Sequence, residues 1–249
     1  MLMQMRAITE AGRALAYYAS AQTDHAHHAA RDEDRVAFQS RVDLIIPIVK
    51  SWCTEMAQEA TYTGVQVHGG MGFIEETGAA QYMRDARILT IYEGTTGIQA
   101  LDLMGRKMLR DKGKAMGLLL EELTAFNQQL SSAEGDFALI AARFTPALGA
   151  FEAATAWYLQ QVVDDPDLGS AVGVDFMMMA GNVVCAWLLA RSAFAAQKHI
   201  DAGSQDRFYH HKISTAVFFA ERILPRSEAL AAMVMSGSAS AMSIAADEF

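Results

Sequence analysis

Apolar residues recur three or four positions apart along nearly the whole chain and almost nowhere alternate, which is the periodicity of helices. Met5, Ile8, Leu15 and Tyr18 predict a first helix from about Leu2 to Ala30. After a charged connector, RDEDR (31–35), a second runs from about Val36 to Val67, with Leu44, Ile45, Ile48, Trp52, Met56 and Ala60 on one face. Pro47 is expected to kink it rather than end it, because the pattern continues in register. The glycine-rich HGGMGF (68–73) then reads as a loop, followed by a helix from about Ala79 to Ile88. A second break, IYEGTTG (91–97), precedes a fourth helix reaching about Arg110.

KGKAMG (112–117) interrupts the pattern again and is the candidate boundary between two domains, 1–113 and 114–249. Beyond it, helices are expected at about Leu118 to Ser131, Asp136 to Val163, Ser170 to Ala202 and Asp206 to Val234. DDPDLG and AGSQD are the turns between them, and Pro225 should kink or divide the last helix. The small, polar ending SGSASAMSIAADEF is expected to be frayed or loosely docked.

Composition strengthens this picture. With 52% hydrophobic residues, 20% charged residues and four prolines, the chain can fill a large core without breaking its helices. The predicted fold is all-α, an up-and-down helical bundle with a C-terminal helical extension. A net charge of −9 lacks the basic footprint of a nucleic-acid binder. The most apolar run, FMMMAGNVVCAWLLA (176–190), is interrupted by Asn182 and falls short of the ~20 residues that span a bilayer. It reads as a helix buried on all sides, with Met177 to Met179 as core filler and no membrane partner. The N-terminus carries no secretory pattern, and Cys53 and Cys185 read as reduced, buried thiols, so a cytoplasmic location is expected.

Two stretches carry candidate chemistry. In QVHGGMGF (66–73), three glycines in four residues let the main chain adopt positive φ and approach a ligand, offering N–H groups to an anion. The same glycines equally make a helix C-cap with a tight turn. The spacing is neither a dinucleotide fingerprint nor a Walker loop. In IYEGTTGIQ (91–99), Thr95 or Thr96 can cap the next helix, and Glu93 is either an acid favouring that helix start or a base able to take a proton from a weak carbon acid.

Together, these stretches resemble a known family. QVHGGMGFIEETGAAQYMRDARILTIYEGTTGIQ is similar to the C-terminal helical domain of the flavin-dependent acyl-CoA dehydrogenases, with LIIPIVKSW before it and LDLMGRKML after it in agreement. GNVVCAWLLARSA and FYHHKISTAVFFAERILP resemble the helical extension of the long bacterial members, the branch that includes 3-methylmercaptopropionyl-CoA dehydrogenases. The resemblance implies an FAD-dependent oxidoreductase acting on acyl-CoA, with Glu93 as the base for the α-proton and its N–H polarising the thioester carbonyl. It further implies that Tyr92 and Gly94 contact substrate, and that Thr95, Thr96 and Gly97 touch the FAD of the same subunit. Gln66, Val67, His68, Gly69 and Gly70 would reach the FAD of a neighbouring subunit in a homo-oligomer. Arg84, Asp85 and Arg87 would hold the intervening helix, and electron-transfer flavoprotein would be the acceptor.

Family members carry an N-terminal helical domain and a central β-domain ahead of these helices. The 249 residues are therefore expected to be a piece of a longer enzyme or a shortened frame. The competing expectation is a non-catalytic oligomerisation module with both loops retained but empty. Elsewhere the polar clusters read blandly. DHAHH (24–28) reads as a solvated helix end rather than a metal site, and His210 and His211 as surface or packing residues. Asp164, Asp165, Glu75 and Glu76 read as solvated turn acids, and no nucleophile triad is visible.

Overall fold

The computed structural model describes residues 1–248, and among these there is no strand. Ten α-helices follow in order: α1 (Leu2–His28), α2 (Asp32–His68), α3 (Gly70–Phe73), α4 (Ala79–Arg87), α5 (Thr96–Leu101), α6 (Lys114–Ser131), α7 (Asp136–Gln161), α8 (Leu168–Asp201), α9 (Arg207–Arg222) and α10 (Arg226–Val234). The fold is the expected all-α one.

α1 buries a narrow stripe of mainly small residues, Ala7, Ile8, Ala11, Leu15 and Ala19, against α2, α8 and α9. α2 is longer than expected because the RDEDR connector is helical from Asp32. Asp32, Glu33 and Asp34 lie in its first turn, where carboxylates complement the helix dipole, and Arg31 pairs with Asp34 at 2.6 Å. Pro47 is carried inside α2, as expected. The last predicted helix is divided at Pro225 into α9 and α10.

α8 is the axis of the molecule and touches α1, α2, α5, α6, α7, α9 and α10. By length and composition α7 and α8 could each cross a membrane, but 83% of the most apolar window of α8 is buried within the bundle. Met177 and Met179 are core residues there. Its buried polar residue, Asn182, accepts a 2.9 Å hydrogen bond from Trp52 Nε1 on α2, so neither buried group is orphaned. The Trp52 side chain lies close against Gly181, where a Cβ would fall 2.3 Å from Trp52 Cδ1. Phe137 stacks on Phe194 at 4.3 Å, and Phe126 meets Phe144 and Phe194 edge-on, closing the α6–α7–α8 corner.

Polar ties fix the outer helices. Arg226 forks onto Glu59 with bonds of 2.6 and 2.7 Å, and Gln4 adds a third. The hydrogen-bonded guanidinium holds the Glu59 carboxyl below its usual range despite partial burial. Cys53 is half-buried and Cys185 fully buried; burial pushes the Cys53 thiol up to about 11 and raises that of Cys185 too. His25 of the DHAHH cluster packs on Phe38 at 4.9 Å.

Two segments differ from the sequence pattern. The helix expected after IYEGTTG and up to about Arg110 starts at Thr96, is α-helical only to Leu101 and becomes a π-helical stretch over Asp102–Met108. The wider turn lies where α8 presses in. A Cβ at Gly173 would meet Met104 Cγ at 3.1 Å and Ala100 Cβ at 3.3 Å, and Tyr158 donates to the Met104 carbonyl at 3.3 Å. Burial pushes the Tyr158 phenol up to about 12. Beyond it the chain turns through two left-handed residues, Lys112 (φ 57°) and Gly113 (φ 79°), and α6 begins at Lys114 rather than Leu118. HGGMGF is likewise not a plain loop: Gly69 turns the chain and a single helical turn, α3, follows.

Candidate functional site

The first sequence motif sits at the end of α2. Gln66, Val67, His68, Gly69 and Gly70 are all exposed. Gly69 takes φ 60° and ψ −142°, a conformation open essentially to glycine alone. A Cβ at Gly69 or Gly70 would meet nothing within 4 Å, so this main chain is open to an approaching molecule. Gly72 has the opposite reason to be glycine: a Cβ there would lie 2.3 Å from the Val65 carbonyl oxygen. Thr77 ties the turn down by donating to the carbonyls of Met71 and Ile74. Arg84 forks onto Glu75 with two bonds of 2.7 Å, and Arg87 donates to Thr90, so both arginines brace the segment between the motifs.

The second motif folds into a tight corner. Glu93 (φ 57°) and Gly94 (φ 87°) are consecutive left-handed residues. For a glutamate that conformation costs about 1–2 kcal/mol, so something must hold it. Two side chains bond to the pair. Lys50 Nζ donates to the Gly94 carbonyl at 2.6 Å, and Gln99 Nε2 to the Glu93 carbonyl at 3.0 Å. Thr96 Oγ1 donates to Glu55 Oε1 at 2.5 Å. Thr95 caps α5, its hydroxyl accepting from the Ile98 N–H at 3.3 Å. Among the described residues nothing accepts from the N–H groups of Glu93, Gly94 or Thr95, which leaves a run of free donors at the bend.

An open cleft of about 450 Å³ lies between α2 and this corner, walled by Glu55, Gln58, Arg87, Thr95, Thr96 and Gly97. The Gln66–Gly70 motif does not share it. Val67 lies twelve residues beyond Glu55, about 18 Å further along α2. A separate apolar cleft opens beside that motif, with Val65, Phe73, Ile74 and Met83 in its walls. Glu93 and Tyr92 face solvent, and the surface around both motifs is unusually apolar: Phe73 is 81% exposed, Tyr82 74%, Ile98 56% and Ile88 54%. Exposed apolar groups so concentrated mark a surface that meets something else.

Sequence periodicity missed Lys50, Glu55 and Gln99. The available signal was two charges, Lys50 and Glu55, flanking Trp52 on an otherwise apolar part of α2.

Comparison with known proteins places the chain in a family. Residues 1–109 match the profile described as acyl-CoA dehydrogenase, C-terminal domain, and residues 119–245 match that described as acetyl-CoA dehydrogenase C-terminal like. The chain belongs to the acyl-CoA dehydrogenase family. Similar relatives include 3-methylmercaptopropionyl-CoA dehydrogenase of Ruegeria pomeroyi, 46% identical over 90% of this chain and 38% of that protein. The broad-specificity linear acyl-CoA dehydrogenase FadE5 of Mycobacterium tuberculosis is 35% identical over the same shares. Subunit CarC of the caffeyl-CoA reductase–Etf complex of Acetobacterium woodii is 30% identical over 42% of this chain and 24% of its own length.

Among solved structures, an acyl-CoA dehydrogenase complexed with FAD from Bacillus anthracis superposes with a TM-score of 0.71 at 20% identity, covering 94% of this chain and 41% of that one. Caenorhabditis elegans ACDH-11 in complex with C11-CoA gives 0.62 at 19%, covering 88% and 35%. At that identity the likeness establishes the shared fold. The chain spans about two-fifths of the length of the first two curated relatives.

Proposed function

We propose that this chain is the C-terminal, helical part of a flavin-dependent acyl-CoA dehydrogenase, which removes two hydrogens from the α and β carbons of an acyl-CoA thioester. The observation that carries the reading is the left-handed Glu93–Gly94 corner, where a carboxylate projects beside a run of unused N–H donors. Glu93 takes the α-proton onto its carboxylate. Its own N–H donates to the thioester carbonyl and stabilises the charge that develops there, as an oxyanion-type donor does. Gly94 leaves room for the substrate beside the main chain, and Tyr92 lines the acyl side.

FAD, when bound, supplies the acceptor for the β-hydride. The residues present fit such a cofactor in two places. A Cβ at Gly97 would meet only the Thr95 hydroxyl, at 3.9 Å, so the 95–97 turn is approachable in the cleft beside Glu55. Gly69 and Gly70 leave the Gln66–Gly70 backbone equally open. Glu55, which accepts from Thr96, and Val67 stand about 18 Å apart along α2, which supports the two segments serving different flavins, Thr95–Gly97 that of the same subunit and Gln66–Gly70 that of a neighbour. A homo-oligomer follows from that reading. The Etf complex named for the A. woodii relative supports electron-transfer flavoprotein as the acceptor. A cytoplasmic location belongs to the same proposal.

A second reading is a helical oligomerisation module with both loops empty. The solvent exposure of Glu93 favours it. Adding FAD to the purified chain separates the two. A retained flavin absorbance band supports the cofactor reading, whereas a colourless chain that takes up no FAD rules out independent catalysis. In a flavin-loaded enzyme containing this chain, Glu93→Gln should abolish α-proton exchange of bound acyl-CoA while the flavin stays bound. Retained exchange would sink the assignment of the base.

A further inference from the structure

Among the described residues the half-buried cations are paired with carboxylates, with one exception. Arg6 meets Glu10, Arg35 meets Asp32, Arg41 meets Glu122, Lys107 meets Asp43, Lys212 meets Glu10 and Arg226 meets Glu59. Among the described residues Lys50 has no such partner; its ammonium is committed to the Gly94 carbonyl, 2.6 Å away and 44 residues on. A charged donor makes a stronger bond to a carbonyl than a neutral one does. That bond falls on the peptide plane leaving Gly94, while Gln99 holds the plane leaving Glu93. With both planes held, the left-handed pair cannot relax into the commoner right-handed turn, which would redirect the Glu93 side chain.

Lys50 itself is held by the core. It stands two residues before Trp52, which is wedged against Gly181 and bonded to Asn182. Glu55 extends the same stretch of α2 to the other side of the corner through Thr96. The rigid axis of the bundle is thus connected to the corner by side chains on α2.

We propose that Lys50 is a positioning residue for proton abstraction: it clamps the Gly94 carbonyl and, with Gln99, fixes the direction in which Glu93 presents its carboxylate. This rests on the reading of Glu93 as the base. Lys50 does not touch the reacting atoms in this account and acts only through the loop it holds.

The clamp can be tested in the chain as it stands, without flavin, from backbone amide order parameters. In the parent, Glu93 and Gly94 should show the rigid value of about 0.85, and in Lys50→Met they should fall below about 0.6. The thermal midpoint should stay within a few degrees, and Lys50→Arg, which restores a charged donor, should recover the order. Gln99→Ala cuts the second tie without touching the core and should loosen Glu93 on its own, which keeps the test open if Lys50→Met does not fold. Unchanged order in a folded Lys50→Met, or a corner already mobile in the parent, overturns the clamp. So does unchanged order in Gln99→Ala.

In a flavin-loaded enzyme containing this chain, Lys50→Met should slow α-proton exchange by up to about 100-fold, the cost of misplacing a reacting group by ~1 Å. Acyl-CoA affinity should change less than about twofold. Glu93→Gln should abolish exchange with the corner still ordered. Exchange surviving in Glu93→Gln defeats the base assignment and leaves the order-parameter result standing, so the two ideas fail separately.

Discussion

Trp52 Nε1 and the Asn182 side chain form a single polar link inside the apolar core. Both side chains are buried, and the 2.9 Å bond joins α2 to the central α8. Asn182→Leu keeps the volume nearly constant but removes the acceptor. The indole N–H then has no partner in the core, a penalty of about 1–3 kcal/mol, partly offset by the apolar gain of leucine. A net loss of about 1–2 kcal/mol follows. Trp52→Phe removes the donor and also leaves space against Gly181, so about 2–3 kcal/mol is expected, towards the lower end for an aromatic truncation. Treated as independent, the two changes would sum to about 3–5 kcal/mol.

They should not be independent. The double variant has neither donor nor acceptor left unpaired, and replacing both partners by apolar groups is far less costly than replacing one. A favourable coupling of about 1–2 kcal/mol is therefore expected from a double-mutant cycle. Urea unfolding followed by far-UV circular dichroism would measure it, since Trp157 and Trp187 complicate a fluorescence signal. In thermal scans, each kcal/mol should lower the midpoint by about 2–4 °C for a chain of this size. Additivity within about 0.5 kcal/mol, or an Asn182→Leu variant as stable as the parent, would refute the argument.

Three other outcomes follow from the packing. Gly173→Ala should cost under about 1 kcal/mol because Met104 can shift, whereas Gly173→Val should cost about 1–3 kcal/mol and displace α5, as urea midpoints would record. Gly72→Ala drives a Cβ into the fixed Val65 carbonyl, so it should speed amide exchange around Gln66–Gly70 more than it lowers global stability. The Glu59 carboxyl is depressed in the folded state by Arg226, so its contribution is fully present above the ordinary glutamate value near 4.5 and is lost as pH falls through the folded value. Glu59→Gln should therefore flatten the stability profile below about pH 4.5, and an unchanged acid limb would contradict the pairing.

Helix positions were legible wherever the chain carries its own punctuation. Gly69, Pro225 and the DDPDLG turn all interrupt helices where the pattern says they should. The start of α2 was missed because RDEDR looks like a linker, although three acids in a row also suit a helix N-terminus. The π-helical stretch could not be read, since the residues that pack on Met104 within it, Tyr158, Gly169 and Gly173, lie more than fifty residues away. The candidate site divides in the same way. Glu93, Gly94 and the threonines stand in one short motif, whereas Lys50 meets Gly94 only after α2 has folded back beside it. No local pattern encodes that meeting.

The close approach of Gly173 to Ala100 and Met104 also limits how this protein can be rebuilt. A hybrid made by splicing two relatives at residue 113 would inherit the corner helix from one parent and its supporting glycine from the other. A valine or leucine at the second parent's position 173 would lift α5 and with it the turn that carries Glu93. Gene-shuffling libraries should therefore yield more working hybrids when residues 96–108 and 168–173 are exchanged as one block than when the crossover falls between them.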